Sequence, residues 1–151
     1  AMTILVPFDG SAFSTTALAR AAALAKHTGA TLATVTVVPG GREYACERGW
    51  IDEDEPLDRA LVEERVREKV GSIAPAATVR FEHAGQRPTT ALIARRLRDA
   101  AREIEATLVV IGSENAGRTA RPARSVTGAF THRTDCDLYL VRDVDSPGPF
   151  G

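Results

Sequence analysis

The sequence predicts an α/β domain built as a single doubly wound parallel sheet of five strands with helices on both faces. Three observations lead to it. Apolar, β-branched runs at 3–8 and 107–112 lack the alternation of a half-exposed strand, which is the pattern of strands covered on both faces, and 31–38 reads as a further strand. Between the strands lie segments whose apolar residues recur three and four apart, as on a helix packed by one side. The two periods alternate along the chain, and a succession of strand, helix and parallel strand closes by right-handed crossovers.

The first strand, TILVPF at 3–8, ends at Asp9-Gly10-Ser11, a turn sequence. A helix over about 13–27 follows, with Ala17, Leu18, Ala21, Leu24 and Ala25 on its apolar side; His27 supplies a last-turn cation and Gly29 a stop. TLATVTVV at 31–38 is the second strand, closed by Pro39-Gly40-Gly41. Residues 42–55 carry no period and are expected as a long loop holding Cys46, Trp50 and the acids Asp52, Glu53, Asp54 and Glu55. Those acids suit either a cation or a solvated loop that complements the next helix N-terminus. That helix is expected to carry Pro56 in its first turn, with Leu57, Leu61, Val62, Val66 and Val70 as its apolar stripe. ATVRFEH at 77–83 reads as an alternating strand, and after Gly85 and Pro88 a third helix places Ile93, Leu97, Ala100 and Ile104 on one face. TLVVIG at 107–112, a short helix over 125–132 and DLYLVR at 137–142 complete a domain expected over 2–143. Residues 144–151, with Pro147, Gly148 and Pro149, are expected as a disordered tail.

Composition narrows the function classes. The 151 residues carry 19 basic and 20 acidic side chains, a net charge of −1, which speaks against a polybasic nucleic-acid surface. Nothing approaches the roughly 20 apolar residues of a membrane span, and no C-x-x-C or H-x-x-H spacing suggests a metal site. With two cysteines and no secretory segment, the expected compartment is the cytoplasm. No Walker A sequence, no G-x-G-x-x-G after a strand, no nucleophile elbow and no Ser, His and Asp constellation is visible, so no catalytic residues are expected. Among the histidines, His83 alone falls at the carboxyl end of a strand.

In doubly wound sheets ligands bind beyond the carboxyl ends of the strands, where strand order reverses. The candidate loops are 9–14 after the first strand and 112–124 after the fourth, and they meet only if those two strands are neighbours. Around them stand ILVPFDGSAFSTTAL at 4–18, the turn Gly85-Gln86-Arg87-Pro88, ATLVVIGS at 106–113 and SVTGAFTHRTDCDLYLVR at 125–142. In order and spacing these segments resemble the universal stress protein family. The resemblance implies strand order 3-2-1-4-5, frequent homodimerisation through the last strand, and either of two subgroups, one that binds ATP and one that does not.

The nucleotide-binding subgroup carries G-x2-G-x9-G-[ST] after the fourth strand, where glycines let backbone N–H groups approach phosphate at a helix N-terminus. Here Gly112 and Ser125 hold the end positions, but Asn115 and Arg124 replace the second and third glycines, with eight residues between them. Asn tolerates a left-handed backbone; Arg124 suits either blocking the pocket or pairing with the anion. With Arg118, Arg121 and Arg133 against Glu114, residues 113–134 carry a net +3. By resemblance, Pro7, Phe8 and Asp9 line the nucleoside side and Val37 packs on adenine. Gly112, Asn115, Ser125, Val126 and Thr127 face the phosphates of ATP or AMP, with Arg118 and Arg124 nearby and Mg²⁺ only as the nucleotide's companion. Each also has a plainer role: Asp9, Ser11 and Ser14 suit the cap of the first helix, Ser125 that of the fourth, and Val37 the core. The last strand, with Leu138, Tyr139, Leu140 and Val141 between Asp137 and Arg142, reads as an apolar edge that needs a partner or a cover. Two readings follow, a nucleotide-responsive regulatory domain and a stress protein that acts through protein contacts alone.

Overall fold

The computed structural model describes residues 2–38, 40–83, 85, 88–112, 130 and 136–142. Its elements run β1 (Thr3–Pro7), α1 (Ala12–Thr28), β2 (Thr31–Val38), α2 (Arg42–Glu47), α3 (Arg59–Ile73), β3 (Thr78–His83), α4 (Thr90–Glu103), β4 (Leu108–Gly112) and β5 (Asp137–Val141). The strands form one sheet in the order β3-β2-β1-β4-β5, every neighbouring pair parallel. Ile4, Leu5 and Val6 of the central strand have no exposed surface, because helices cover both faces of the sheet.

Side chains alternate across the pleat and so sort into two layers. Ile4, Val6 and Phe8 pack with Ala17, Leu18 and Ala21 of α1 and with Val62, Val66 and Val70 of α3. Leu5, Val35, Val109 and Ile111 pack on the opposite face with Ala94, Leu97 and Ala100 of α4 and with Phe130. The layering follows from the crossovers, since right-handed connections moving outward from β1 to β3 and then back across to β4 must put α1 and α3 on one face and α4 on the other.

The helix boundaries are set by caps. Ser11 accepts the Ser14 N–H at the start of α1, and Gly29, in the left-handed region at φ 73°, returns its N–H to the Ala25 carbonyl at the end. Thr89 accepts the Leu92 N–H at the start of α4. Two sequence expectations need correction. Residues 42–55 are not all loop: α2 occupies Arg42–Glu47, six residues, too short to show a period, and anchored by Ala45, its one buried residue. The helix after it does not have Pro56 in its first turn, because the Asp58 carboxylate accepts the N–H groups of Ala60 and Leu61 and so starts α3 at Arg59. β3 alternates as the sequence leads one to expect, though without a contrast in burial. At the sheet edge its Val79 and Phe81 face α3 while Arg80 and Glu82 pair with each other on the other side at 3.2 Å, and all four are half-buried. The helix expected over 125–132 lies outside the described residues except for Phe130, which is fully buried; the tail over 144–151 lies outside them altogether. Among the described residues no helix is long and apolar enough to cross a membrane.

α1 and β4 meet closely. A Cβ placed on Gly112 would lie 2.7 Å from the backbone carbon and oxygen of Phe13 and from its Cβ, so the last residue of β4 must be glycine for α1 to start where it does. Gly112→Ala is expected to destabilise the fold by about 1–3 kcal/mol, the usual cost of overpacking, read as a lower urea midpoint; an unchanged midpoint would show that α1 can shift freely.

Candidate functional site

β1 and β4 are adjacent, and they lead in opposite directions across the sheet, so strand order reverses between them. Beyond their carboxyl ends lies the loop that joins β1 to α1, and its conformation is over-determined by hydrogen bonds. The Phe8 N–H donates to the Val35 carbonyl at 2.8 Å, and the Thr36 hydroxyl, 1% exposed, donates to the Phe8 carbonyl at 2.7 Å. Asp9 Oδ1 accepts the Ser11 N–H and the Ser14 hydroxyl, each at 2.9 Å. The Ser14 N–H in turn donates to the Ser11 hydroxyl oxygen at 3.2 Å. Asp9, Ser11 and Ser14 therefore do make the helix cap that the sequence allows them.

The second oxygen of Asp9 is also engaged. Arg48, just past α2, donates to Asp9 Oδ2 at 3.0 Å and lies over the Tyr44 ring at 5.2 Å. Two residues on, Trp50 is 6% exposed and sits against Phe8 with ring centroids 6.3 Å apart and a tilt of 57°. Its ring also covers Gly10: a Cβ there would come within 2.8 Å of the indole, and Gly10 has φ +82°, so neither space nor backbone admits another residue. Lys69 of α3 adds a bond from Nζ to the Gly10 carbonyl at 3.2 Å.

The segment that carries Arg48 and Trp50 is held from behind by charge. Arg65 donates to the Trp50 carbonyl at 2.6 Å and forks onto both oxygens of Glu55 at 3.0 and 2.8 Å. Arg42 Nε donates to the Glu55 carbonyl at 2.9 Å, and the Asp52 N–H donates to Glu55 Oε1 at 3.0 Å. These bonds, Arg65 first and the Asp52 N–H next, hold the Glu55 carboxyl down from 4.5 to about 2, and Glu55 in turn raises Arg65. One member of the acidic run is thus an internal counter-ion, and among the described residues no group of three or more His, Cys, Asp or Glu side chains is placed to hold a metal ion.

The structure separates some of the expected site residues. Pro7 ends β1 half-buried. Phe8 is 2% exposed and its ring lies in the α1 and α3 layer, whereas Val37 packs half-buried in the α4 layer, so these two side chains are on opposite faces of the sheet. The Asp9 side chain is 37% exposed and pairs with Arg48, and Gly112 closes β4 beside Val141. Asn115, Arg118, Arg124, Ser125, Val126 and Thr127 lie outside the described residues. His83 ends β3 and is exposed. Sequence reasoning missed Thr36, Arg48, Lys69 and Arg65. The one available signal was Trp50, the chain's single tryptophan, in a stretch without periodicity.

Because the Glu55 carboxyl is lowered on folding, its stabilising contribution is complete above the ordinary 4.5 and disappears as pH falls toward about 2. The stability gap between the native chain and Glu55→Gln should therefore be widest near neutrality and close across that window in urea titrations; a gap independent of pH would mean that the Arg65 fork contributes nothing to folding.

The sequence profile of the universal stress protein family matches residues 1–142. Among solved structures, a universal stress protein in complex with cAMP superposes with a TM-score of 0.63 at 22% identity, over 93% of this chain and 96% of that one. A protein of the universal stress protein family from Burkholderia pseudomallei gives 0.60 at 25% identity, over 93% and 96%. The universal stress protein from Archaeoglobus fulgidus in complex with dAMP gives 0.55 at 17% identity, over 93% and 97%. No curated protein sequence matches significantly.

Proposed function

This chain belongs to the universal stress protein family, and on that premise we propose that it is a regulatory domain that binds an adenine nucleotide, ATP or AMP, in the crevice between β1 and β4 and does not turn it over as an enzyme. The observation that carries the reading is the adjacency of β1 and β4 at the reversal of strand order, which brings the loop after Pro7 and the glycine that ends β4 to one edge of the sheet, where such folds take ligands. The adenine nucleotides held by two similar structures support the ligand class. In this reading Pro7, the Phe8 backbone and Asp9 serve the nucleoside side, and Val37 offers apolar surface to the base. Gly112, Asn115, Ser125, Val126 and Thr127 serve the phosphates with Arg118 and Arg124, and Mg²⁺ enters only with the nucleotide.

A second reading, a stress protein that works by protein contacts without nucleotide, is favoured by one observation: both oxygens of Asp9 already accept hydrogen bonds from the protein. The two readings separate in a direct experiment. Freshly purified protein, denatured and analysed by mass spectrometry, should release an adenine nucleotide. The stripped protein should melt about 5–10 °C higher with Mg-ATP near a hundredfold above its Kd, the shift expected for a domain of this size. Empty protein with no shift at millimolar ATP selects the second reading.

We further propose homodimerisation through β5. Leu138, Tyr139 and Leu140 are half-buried, and β5 ends the sheet order with no described strand outside it. Light scattering at micromolar concentration should give twice 16.1 kDa; a monomer throughout that range would overturn it.

A further inference from the structure

We propose that Arg48 is the residue that sets access to the nucleoside side of the crevice, by occupying Asp9 until a ligand displaces it and by carrying that displacement to Trp50. The inference rests on the nucleotide reading above and adds a competitor to it. Asp9 Oδ1 is committed to the α1 cap through Ser11 and Ser14, so the acceptor left for an incoming hydroxyl or amine is Oδ2, and Arg48 donates to that oxygen at 3.0 Å. A carboxylate oxygen has room for a second donor, but the guanidinium restricts the approach from its side.

The pair has the character of a contact that can be exchanged. The two side chains are 31% and 37% exposed, and ion pairs this open to solvent contribute little. The elements beneath them are tied by more bonds rather than by deeper burial: Arg65 forks onto both oxygens of Glu55 and donates to the Trp50 carbonyl, Glu55 also accepts from Arg42 and the Asp52 N–H, and Lys69 adds a bond to the Gly10 carbonyl. Movement of Arg48 away from Asp9 therefore pulls on a short stretch, from α2 to Trp50, whose far end is clamped. Trp50 lies at the junction of the two, with its ring on Phe8 and Gly10. A ligand donor on Oδ2 would thus be felt at the indole without touching it.

Adenosine is the suitable probe, because it carries the nucleoside donors without a phosphate that Arg48 could attract. Full-length protein, Arg48→Gln and Arg48→Lys are titrated with adenosine, AMP and Mg-ATP by calorimetry, and Trp50 emission is followed in parallel. Arg48→Gln should bind adenosine about two- to five-fold more tightly than the native chain, the range an exposed ion pair allows. Its Trp50 emission before ligand should already resemble that of the native complex. Arg48→Lys, which keeps the charge, should restore the weaker binding and the ligand-induced emission change. Equal or weaker adenosine binding by Arg48→Gln, with the native chain still binding, overturns the competition and leaves the nucleotide reading standing. Absence of binding by all three proteins to all three ligands overturns both.

Discussion

How the chain leaves β1 is decided by one buried hydrogen bond, from the Thr36 hydroxyl to the Phe8 carbonyl. A carbonyl in that place has no water to turn to, and leaving it unpaired costs about 1–3 kcal/mol; the bond therefore fixes the peptide that follows Phe8. From there each step constrains the next. Asp9 is set where its carboxylate reaches back to Ser11 and Ser14 and starts α1, Gly10 is set where only a glycine fits beneath Trp50, and α1 begins so close to β4 that Gly112 can carry no side chain. The path of the chain at this edge of the sheet is a consequence of a threonine on β2.

Much of this architecture is legible in the sequence because it depends on burial, and burial leaves a periodic trace. The runs at 3–8, 31–38 and 107–112 correspond to β1, β2 and β4, the three inner strands, which carry most of the sheet's fully covered positions. The helical spacing of Ala17, Leu18 and Ala21, and of Val62, Val66 and Val70, matches the faces that α1 and α3 bury. Strand order came from the family resemblance and agrees with the structure. What fails to show is what does not repeat. α2 is shorter than two turns, and a boundary such as the start of α3 is decided by a single aspartate against a proline.

The candidate site was legible only in part, for a different reason. Asp9, Ser11 and Ser14 interact within five residues, and local chemistry of that kind can be read from neighbours. The contact from Arg48 to Asp9 spans 39 positions and the one from Lys69 to Gly10 spans 59; both exist only once the sheet brings the segments together. Side-chain direction was hidden as well. Phe8 and Val37 both sit near the carboxyl edge, yet the pleat sends them to opposite layers. Net charge was the least informative number. A total of −1 conceals specific internal pairs, Asp9 with Arg48, Glu55 with Arg65, and Arg80 with Glu82 and Glu103.

The last of those groups gives the two rims of the sheet unlike characters. β3, at one rim, carries Arg80 and Glu82 with Glu103 of α4 beside them, and on its other side Arg67 lies over Phe81 at 4.9 Å; β5, at the opposite rim, is apolar through Leu138 and Leu140. Charge along a rim opposes the docking of another strand. Copies of this chain therefore cannot readily add head to tail, β5 of one onto β3 of the next, which is the arrangement that never closes and grows into fibres. The proposed homodimer joins like rims, β5 to β5, and an assembly made that way is complete at two.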